Sequence, residues 1–293
     1  MAWIKWLVIV PVAFSALVGA LGALGASRWA ARTRALIGRL DAARSAIAPQ
    51  RYDAARELEG LPAPVQLFFR AVLKDGQPMV AALDIGHTGT FNLAAEGPAQ
   101  WQPFTSKQRT TTRRPGFVWN GRVLMLPGVA VHVHDAYIAG EGILHPAVMG
   151  LVSLTDMRGA SPAPGGVAHG EFLRWFAEAA WYPTALLPSQ GVRWSAVDEH
   201  SALATVDDGA VSGALLFRFD PHSGVIASVR AEARGRTVGN EVVLTPWEGC
   251  WFDYAEHERM RVPTRGEVSW MTPQGPRPYW RGSISGLRYE YAK

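Results

Sequence analysis

Between Lys5 and Arg28 the chain runs for 22 residues, WLVIVPVAFSALVGALGALGAS, without a charge. As a helix this run is roughly 33 Å long, matched to a bilayer core of about 30 Å. Trp3 and Trp6 stand at one end and Trp29 at the other, where indoles favour the membrane interface. Pro11 is tolerable near the start of such a helix. The run therefore predicts a transmembrane anchor over 1–28, a single-pass protein of the cell membrane, and the lipid bilayer as its first partner. Gly19, Gly22 and Gly25, with Ala16, Ala20, Ala23 and Ala26, offer a small-residue face for a second helix and so a route to a homo-oligomer. Small residues in a merely lipid-facing helix are an equally good account. A cleaved signal peptide is the rival reading, opposed by the length of the run and by arginines that follow it. Cys250 is the sole cysteine. A lipid-modified cysteine near the run, a disulfide framework and a cysteine-built metal site are all excluded.

Charge is distributed unevenly. Residues 1–50 hold Lys5, Arg28, Arg32, Arg34, Arg39 and Arg44 against one acid, Asp41, while the rest of the chain is nearly balanced. The body lacks the basic excess of a nucleic-acid binder, and no nucleic acid is expected. Five arginines after the run favour a cytoplasmic body. From Trp29 to Ala48, Trp29, Leu36, Ile37, Leu40 and Ile47 share one helical face. This predicts a juxtamembrane helix along the headgroups, ended by Pro49, with the helix and linker filling 29–60.

Residues 61–293 read as one β-rich domain. LPAPVQLFFRAVL (61–73) is an amphipathic helix, with Val65, Phe68, Phe69, Val72 and Leu73 at helical spacing. The period then changes to two: Leu83, Ile85, Phe91 and Leu93 alternate with polar residues, and His87 falls on the apolar side. Segments near 103–112, 116–126 and 129–140 continue a meander. GEFLRWFAEAAWYP (170–183) is a helical insertion after a Gly/Pro-rich loop at 158–170. Val211–Phe219 and Val225–Ala233 form a hairpin around DPHSG, with Arg230, Glu232 and Arg234 on its polar face. Strands near 247–256, 262–271 and 279–291 follow, the last changing parity around Gly286 as a bulge requires. About ten one-faced strands and two helices give an α+β, β-rich fold: a strongly curved, half-barrel-like antiparallel sheet with few covering helices.

A sheet with so little cover closes on itself, keeps a cavity or binds something apolar. Nine of the twelve tryptophans lie in this body. The candidate ligand-binding residues are Trp101, Phe117, Trp119, Tyr137, Trp175, Trp181, Tyr182, Trp251 and Trp270. Glu171 and Arg174 join them to hold a polar headgroup, or else to form a surface ion-pair row with Glu178. For any single tryptophan, core filling is the commoner role. His132 and His134, two apart in a strand, face one side and could supply two metal ligands, with His87, Asp135 or Glu141 as a third. Solvated histidines are the commoner case, and neither metal nor cofactor is expected. Asp135 and Glu248 are further acidic candidates. No phosphate loop, nucleophile elbow or zinc-protease motif is present, and no catalytic residue is assigned.

The stretches LPAPVQLFFRAVL, PGFVWNGRVLMLPGVAVHVHDAYIAGEG, GEFLRWFAEAAWYPTALLPSQGVRW and PWEGCWFDYAEHERMRVPTRGEVSW resemble an uncharacterised bacterial, membrane-anchored family with a domain of unknown function, from about Leu61 to the C-terminus. WFDYAEHERMRVPTRGEVSW and the strand after it are similar to the closing strands of LolA/LolB-like lipoprotein carriers. That resemblance implies a half-barrel holding acyl chains, working outside the cytoplasm, against the charge rule. The expected function is a membrane-anchored module binding a lipid or other apolar ligand. An enzyme acting on a membrane-derived substrate through an acidic or histidine site, and a structural or assembly protein of the membrane, are the alternatives.

Overall fold

The computed structural model describes residues 2–45, 51–94, 96–239 and 241–292; of residues 2–17 only the backbone is described. Helix α1 (Ala2–Ala42) leads, followed by the single turn α2 (Ala54–Glu57), α3 (Ala63–Val72) and, much later, α4 (Val167–Ala177). The strands are β1 (Val80–Asn92), β2 (Trp101–Thr111), β3 (Gly116–Leu126), β4 (Val129–Ile138), β5 (Glu141–Val148), β6 (Val152–Ser153), β7 (Met157–Gly159), β8 (Arg193–Asp198), β9 (Ser201–Asp208), β10 (Val211–Phe219), β11 (Ile226–Val238), β12 (Glu241–His257), β13 (Met260–Thr272) and β14 (Gly275–Tyr291). They form one antiparallel sheet in the order β6-β5-β4-β3-β2-β1-β14-β13-β12-β11-β10-β9-β8, with β7 beside β5. The first and last strands pair with each other, β1 with β14, so neither terminal strand is an edge.

The sheet curls around its own helices. Val65, Phe68, Phe69 and Val72 recur three and four apart on α3, and all are buried. On α4, Phe172, Trp175 and Phe176 are buried, and tight helical turns at Glu178–Trp181 and Pro183–Leu186 carry the buried path onward. These elements fill the concave side and merge with the inner faces of both halves of the sheet into one core. Across that interior the Tyr137 hydroxyl of β4 donates to Asp208 of β9 at 2.8 Å. The interior expected to be under-covered is largely packed.

Expected strands and observed strands agree wherever alternation is strong. The sequence reading does not reach β5, which contains Pro146, the short β6 and β7, or β8 and β9, whose small and polar residues give no clear period. The parity change near Gly286 is a bulge: Gly86 pairs Gly286, the next residue His87 pairs Ile284, and Ser285 is skipped.

α1 departs most from expectation. Its face of Trp29, Leu36 and Leu40 is buried, and it packs on the outer face of the sheet. Leu36 and Leu40 pack on Val118, Ala136, Ile138 and Ile143. Trp29 donates to Asn120 Oδ1 at 2.9 Å and stacks on His134 at 3.9 Å between ring centres. The small-residue face is partly occupied by this chain too. A Cβ on Gly25 would overlap the carbonyl of Met149 in the turn after β5, and Gly22 faces the Met149 side chain. His134 is thus buried, not solvated, because α1 covers it; His132 and His145 complete a ring around Trp29. Among the described residues no helix is long and apolar enough to cross a membrane, and no His, Cys, Asp or Glu cluster suited to a metal ion forms. The first part of the charge-free run, to residue 17, falls where side chains are outside the described set, as do Ile47 and Pro49.

Candidate functional site: a tryptophan-walled cavity with a charged floor

A cavity interrupts the packed interior. Its volume is about 90 Å³, and Trp119, Trp181, Trp247, Trp251 and Trp280 wall it, with Phe91, Val268 and Tyr279 on its half-exposed side. Three of the indoles have room to lie flat because glycine stands beside them. Trp119 covers Gly121, Trp280 covers Gly282, and Trp251 covers Gly266 on the neighbouring strand; a Cβ at any of the three would overlap the ring. Trp181 enters from the turn after α4 and meets Trp251 edge to face at 4.9 Å and His87 at 4.7 Å. The Trp247 indole donates to the Tyr279 hydroxyl at 2.9 Å.

The floor is ionic. Arg174, on α4, reaches Asp135 Oδ2 and Glu178 Oε1, each at 2.7 Å, and its guanidinium lies over the rings of Phe117 and Trp119. Gln108 donates to the other Glu178 oxygen at 2.6 Å. On the opposite side Arg234 of β11 is buried over Trp247, with Glu171 behind it at 3.9 Å. That separation is too long for a hydrogen bond. Burial, reinforced by Asp135, pushes the Glu171 carboxyl up to about 8, so it is largely neutral near pH 7. Burial also raises Asp135 against the pull of Arg174. Burial works against the charge on Arg174, but Glu178 and Asp135 outweigh it and hold the guanidinium above its ordinary range. His87 is driven down to about 3 by burial and by Arg174, and is a neutral imidazole.

Several buried polar atoms around this cavity have no partner: Asp135 Oδ1, Arg234 Nη1, and the indole nitrogens of Trp119, Trp181 and Trp251. Each orphan of this kind costs about 1–3 kcal/mol if nothing satisfies it. Five such atoms, four donors and one acceptor, belong to residues that line this one cavity.

Of the expected binding residues, Trp119, Arg174, Trp181 and Trp251 line this cavity. Glu171 stands behind Arg234, and Trp270, half-exposed, stacks on Tyr279 at the rim. Phe117, Tyr137, Trp175 and Tyr182 are core residues with no free face. Trp101 lies under Arg281, which flanks Trp280 and points to the opposite face of the sheet, away from the cavity. The Glu171–Arg174–Glu178 row is interior rather than a surface row. Arg234, by contrast, was expected on the polar face. The pairing of β11 with β12 slips between Ala231 and Arg234, and this bulge turns Arg234 inward. Glu248 points outward toward Arg230.

Fold and site together define a large, curved, open antiparallel sheet wrapped around its helices, with a mainly apolar, tryptophan-walled cavity that has charged groups on its floor. The chain belongs to DUF6920, a family of unknown function, whose match covers residues 59–289. No curated protein matches it. Among solved structures it is similar to a LolA superfamily protein from Nitrosomonas europaea, with 10% identity, TM-score 0.32, and 72% of this chain and 86% of that chain covered. It is also similar to a β-barrel-like protein of the DUF1849 family from Brucella abortus, with 9% identity, TM-score 0.23, and 73% and 99% covered.

Proposed function

We propose that the protein is a membrane-anchored binding module that holds the acceptor-rich head of an amphipathic, acyl-type ligand in the tryptophan cage. The observation that carries this reading is the set of unpartnered polar atoms on the residues that line the cavity, which a bound head group would reach by a small side-chain shift. Four donors against one acceptor favour a carboxyl or ester group over an amine. The volume of about 90 Å³ is smaller than the roughly 150 Å³ apolar cavity known to take benzene. It suits a head group and excludes a whole acyl chain, which would leave past Phe91, Val268 and Tyr279.

The anchor in this reading is the part of α1 upstream of its contact with the Met149 turn. From Ala2 to Leu21 that helix is about 30 Å long, the thickness of a bilayer core, and Lys5 is its sole charge. Arg28, Arg32 and Arg34 just beyond favour a cytoplasmic body; a reporter fused after Lys293 that works only in the cytoplasm checks this.

The test is native mass spectrometry with lipid extraction on the full chain released from mild detergent. One amphiphile per chain is expected. Arg234→Met should weaken its retention about tenfold or more, the worth of a charge-assisted hydrogen bond. Trp101→Ala, on the outer face, should leave it unchanged. A chain that is empty and takes up no fluorescent fatty acid would sink the reading.

A further inference from the structure

We infer that one end of the sheet is a membrane-docking face, seated on the bilayer so that the cavity opens onto lipid. The ligand route and the α1 anchor that points to a lipid surface belong to the function proposed above; the apolar rim stands apart from the bound ligand. The strand pairing defines the end in question. β1, β3, β5, β9, β11 and β13 run toward it, and the turns joining β1 to β2, β3 to β4, β5 to β6, β9 to β10, β11 to β12 and β13 to β14 all lie there. The half-exposed lining of the cavity belongs to this end as well. Phe91 is next to last in β1, Tyr279 is near the start of β14, and Val268 approaches the end of β13.

Nine of the thirteen large apolar side chains exposed among the described residues gather at this end. Leu93, Leu126, Val152 and Leu154 crown the turns of the first half of the sheet. Val242, Val243 and Leu244 stand on the outer stretch of the β11–β12 hairpin, which β13 does not pair. Three consecutive apolar residues in a strand expose both faces of the ribbon to solvent, which a hairpin built for water avoids. Isolated exposed leucines are ordinary; a cluster of them along one rim, interrupted at the β9–β10 and β13–β14 turns, marks an interaction surface.

The occupant follows from α1. Leu40 lies by Gly116 near the far end, Trp29 lies on His134 midway, and Gly25 crosses the Met149 turn at the apolar end. The helix therefore leaves the body here, with Leu21 and Leu24 exposed and Gly19 meeting nothing within 4 Å. The charge-free run continues from this rim. A lipid surface is the partner that accepts both a helix of that composition and the apolar turn tips around its point of exit.

Depth-dependent quenching in the full chain tests this. In a Cys250→Ala background, single cysteines replace Leu126, Leu154 or Val243 at the rim, and Glu199 or His222 at turns of the opposite end, and carry an environment-sensitive fluorophore. The protein is placed in phosphatidylcholine–phosphatidylglycerol vesicles with a quencher at the headgroup level. Quenching at the rim at least about twofold deeper than at the opposite end is expected for turn tips at the acyl boundary. Equal quenching at both ends would overturn docking, even with an amphiphile still bound by mass spectrometry. A quenched rim with an empty cavity would uphold docking and remove the ligand.

Discussion

Glu171 has no hydrogen-bond partner for Oε2 and reaches Arg234 only at 3.9 Å. Its carboxyl titrates near 8 in the folded chain, against an ordinary 4.5. A raised carboxyl destabilises the fold progressively as pH climbs through that window, because the unfolded chain releases the proton first. Glu171→Gln removes the penalty while keeping the shape. The variant should gain on the order of 3 kcal/mol over the parent at pH 8 and almost nothing at pH 4.5. Melting temperatures across that range check it, and a gain independent of pH would refute the assignment. The site was partly legible at this scale. Trp119-Asn120-Gly121 and Trp280-Arg281-Gly282 put an indole and a glycine on the same strand face, which is the signature of a ring lying down over backbone. Arg234 was not legible, because a bulge two residues earlier inverts its face and alternation alone carries no mark of a bulge.

At the scale of elements, α1 is held by a histidine cluster that must stay neutral. His134 is driven down to about 3 by burial, with His145, Arg32, His132 and Arg158 adding to the effect. It shares a 2.8 Å hydrogen bond with the Thr33 hydroxyl and stacks on Trp29. His132 is lowered by burial and Arg122, and His145 chiefly by burial, although Asp156 opposes this. A depressed histidine supports the fold above its unfolded value of about 6.5 and loses that support as pH falls toward 3. Near pH 5 the loss from His134 alone is about 2 kcal/mol. His87 is depressed equally inside the core, but α1 can lift off and free His134 without breaking a strand, so acid should loosen α1 before the sheet. Hydrogen-exchange protection factors, corrected for the intrinsic rate at each pH, should fall in residues 29–42 between pH 6.5 and 5 while those of β12–β14 hold. His134→Asn, which keeps a partner for Thr33 without the charge change, should flatten that dependence. The helical period of Trp29, Leu36 and Leu40 was plain in the sequence, but its partner was not. Val118, Ala136, Ile138 and Ile143 belong to strands whose other face is also buried, and a strand apolar on both sides has no readable outside.

For the whole molecule, α1 makes the outer face as integral as the inner one. The family match begins at residue 59, yet residues upstream of it cover an apolar patch and close ion pairs onto the barrel: Arg39 to Glu141 at 2.5 Å, Arg44 to Glu290 at 2.8 Å, and Asp41 to Arg109. Burying Trp29, Leu36 and Leu40 contributes about 1.5–3 kcal/mol each before the cost of ordering the helix. A domain of this kind has only about 5–15 kcal/mol in hand. A chain begun at Arg51, as division into an anchor, a linker and a domain invites, should melt about 10 °C or more below one begun at Gly19. It should also self-associate through the uncovered Val118–Ile143 patch, in light scattering as well as in calorimetry. Equal melting temperatures would mean that α1 is a passenger on the sheet. The curved sheet follows from strand alternation and few helices. That its outer face is covered depends on where one apolar helix face comes to rest, which is fixed by contacts between residues about a hundred apart, such as Trp29 with Asn120.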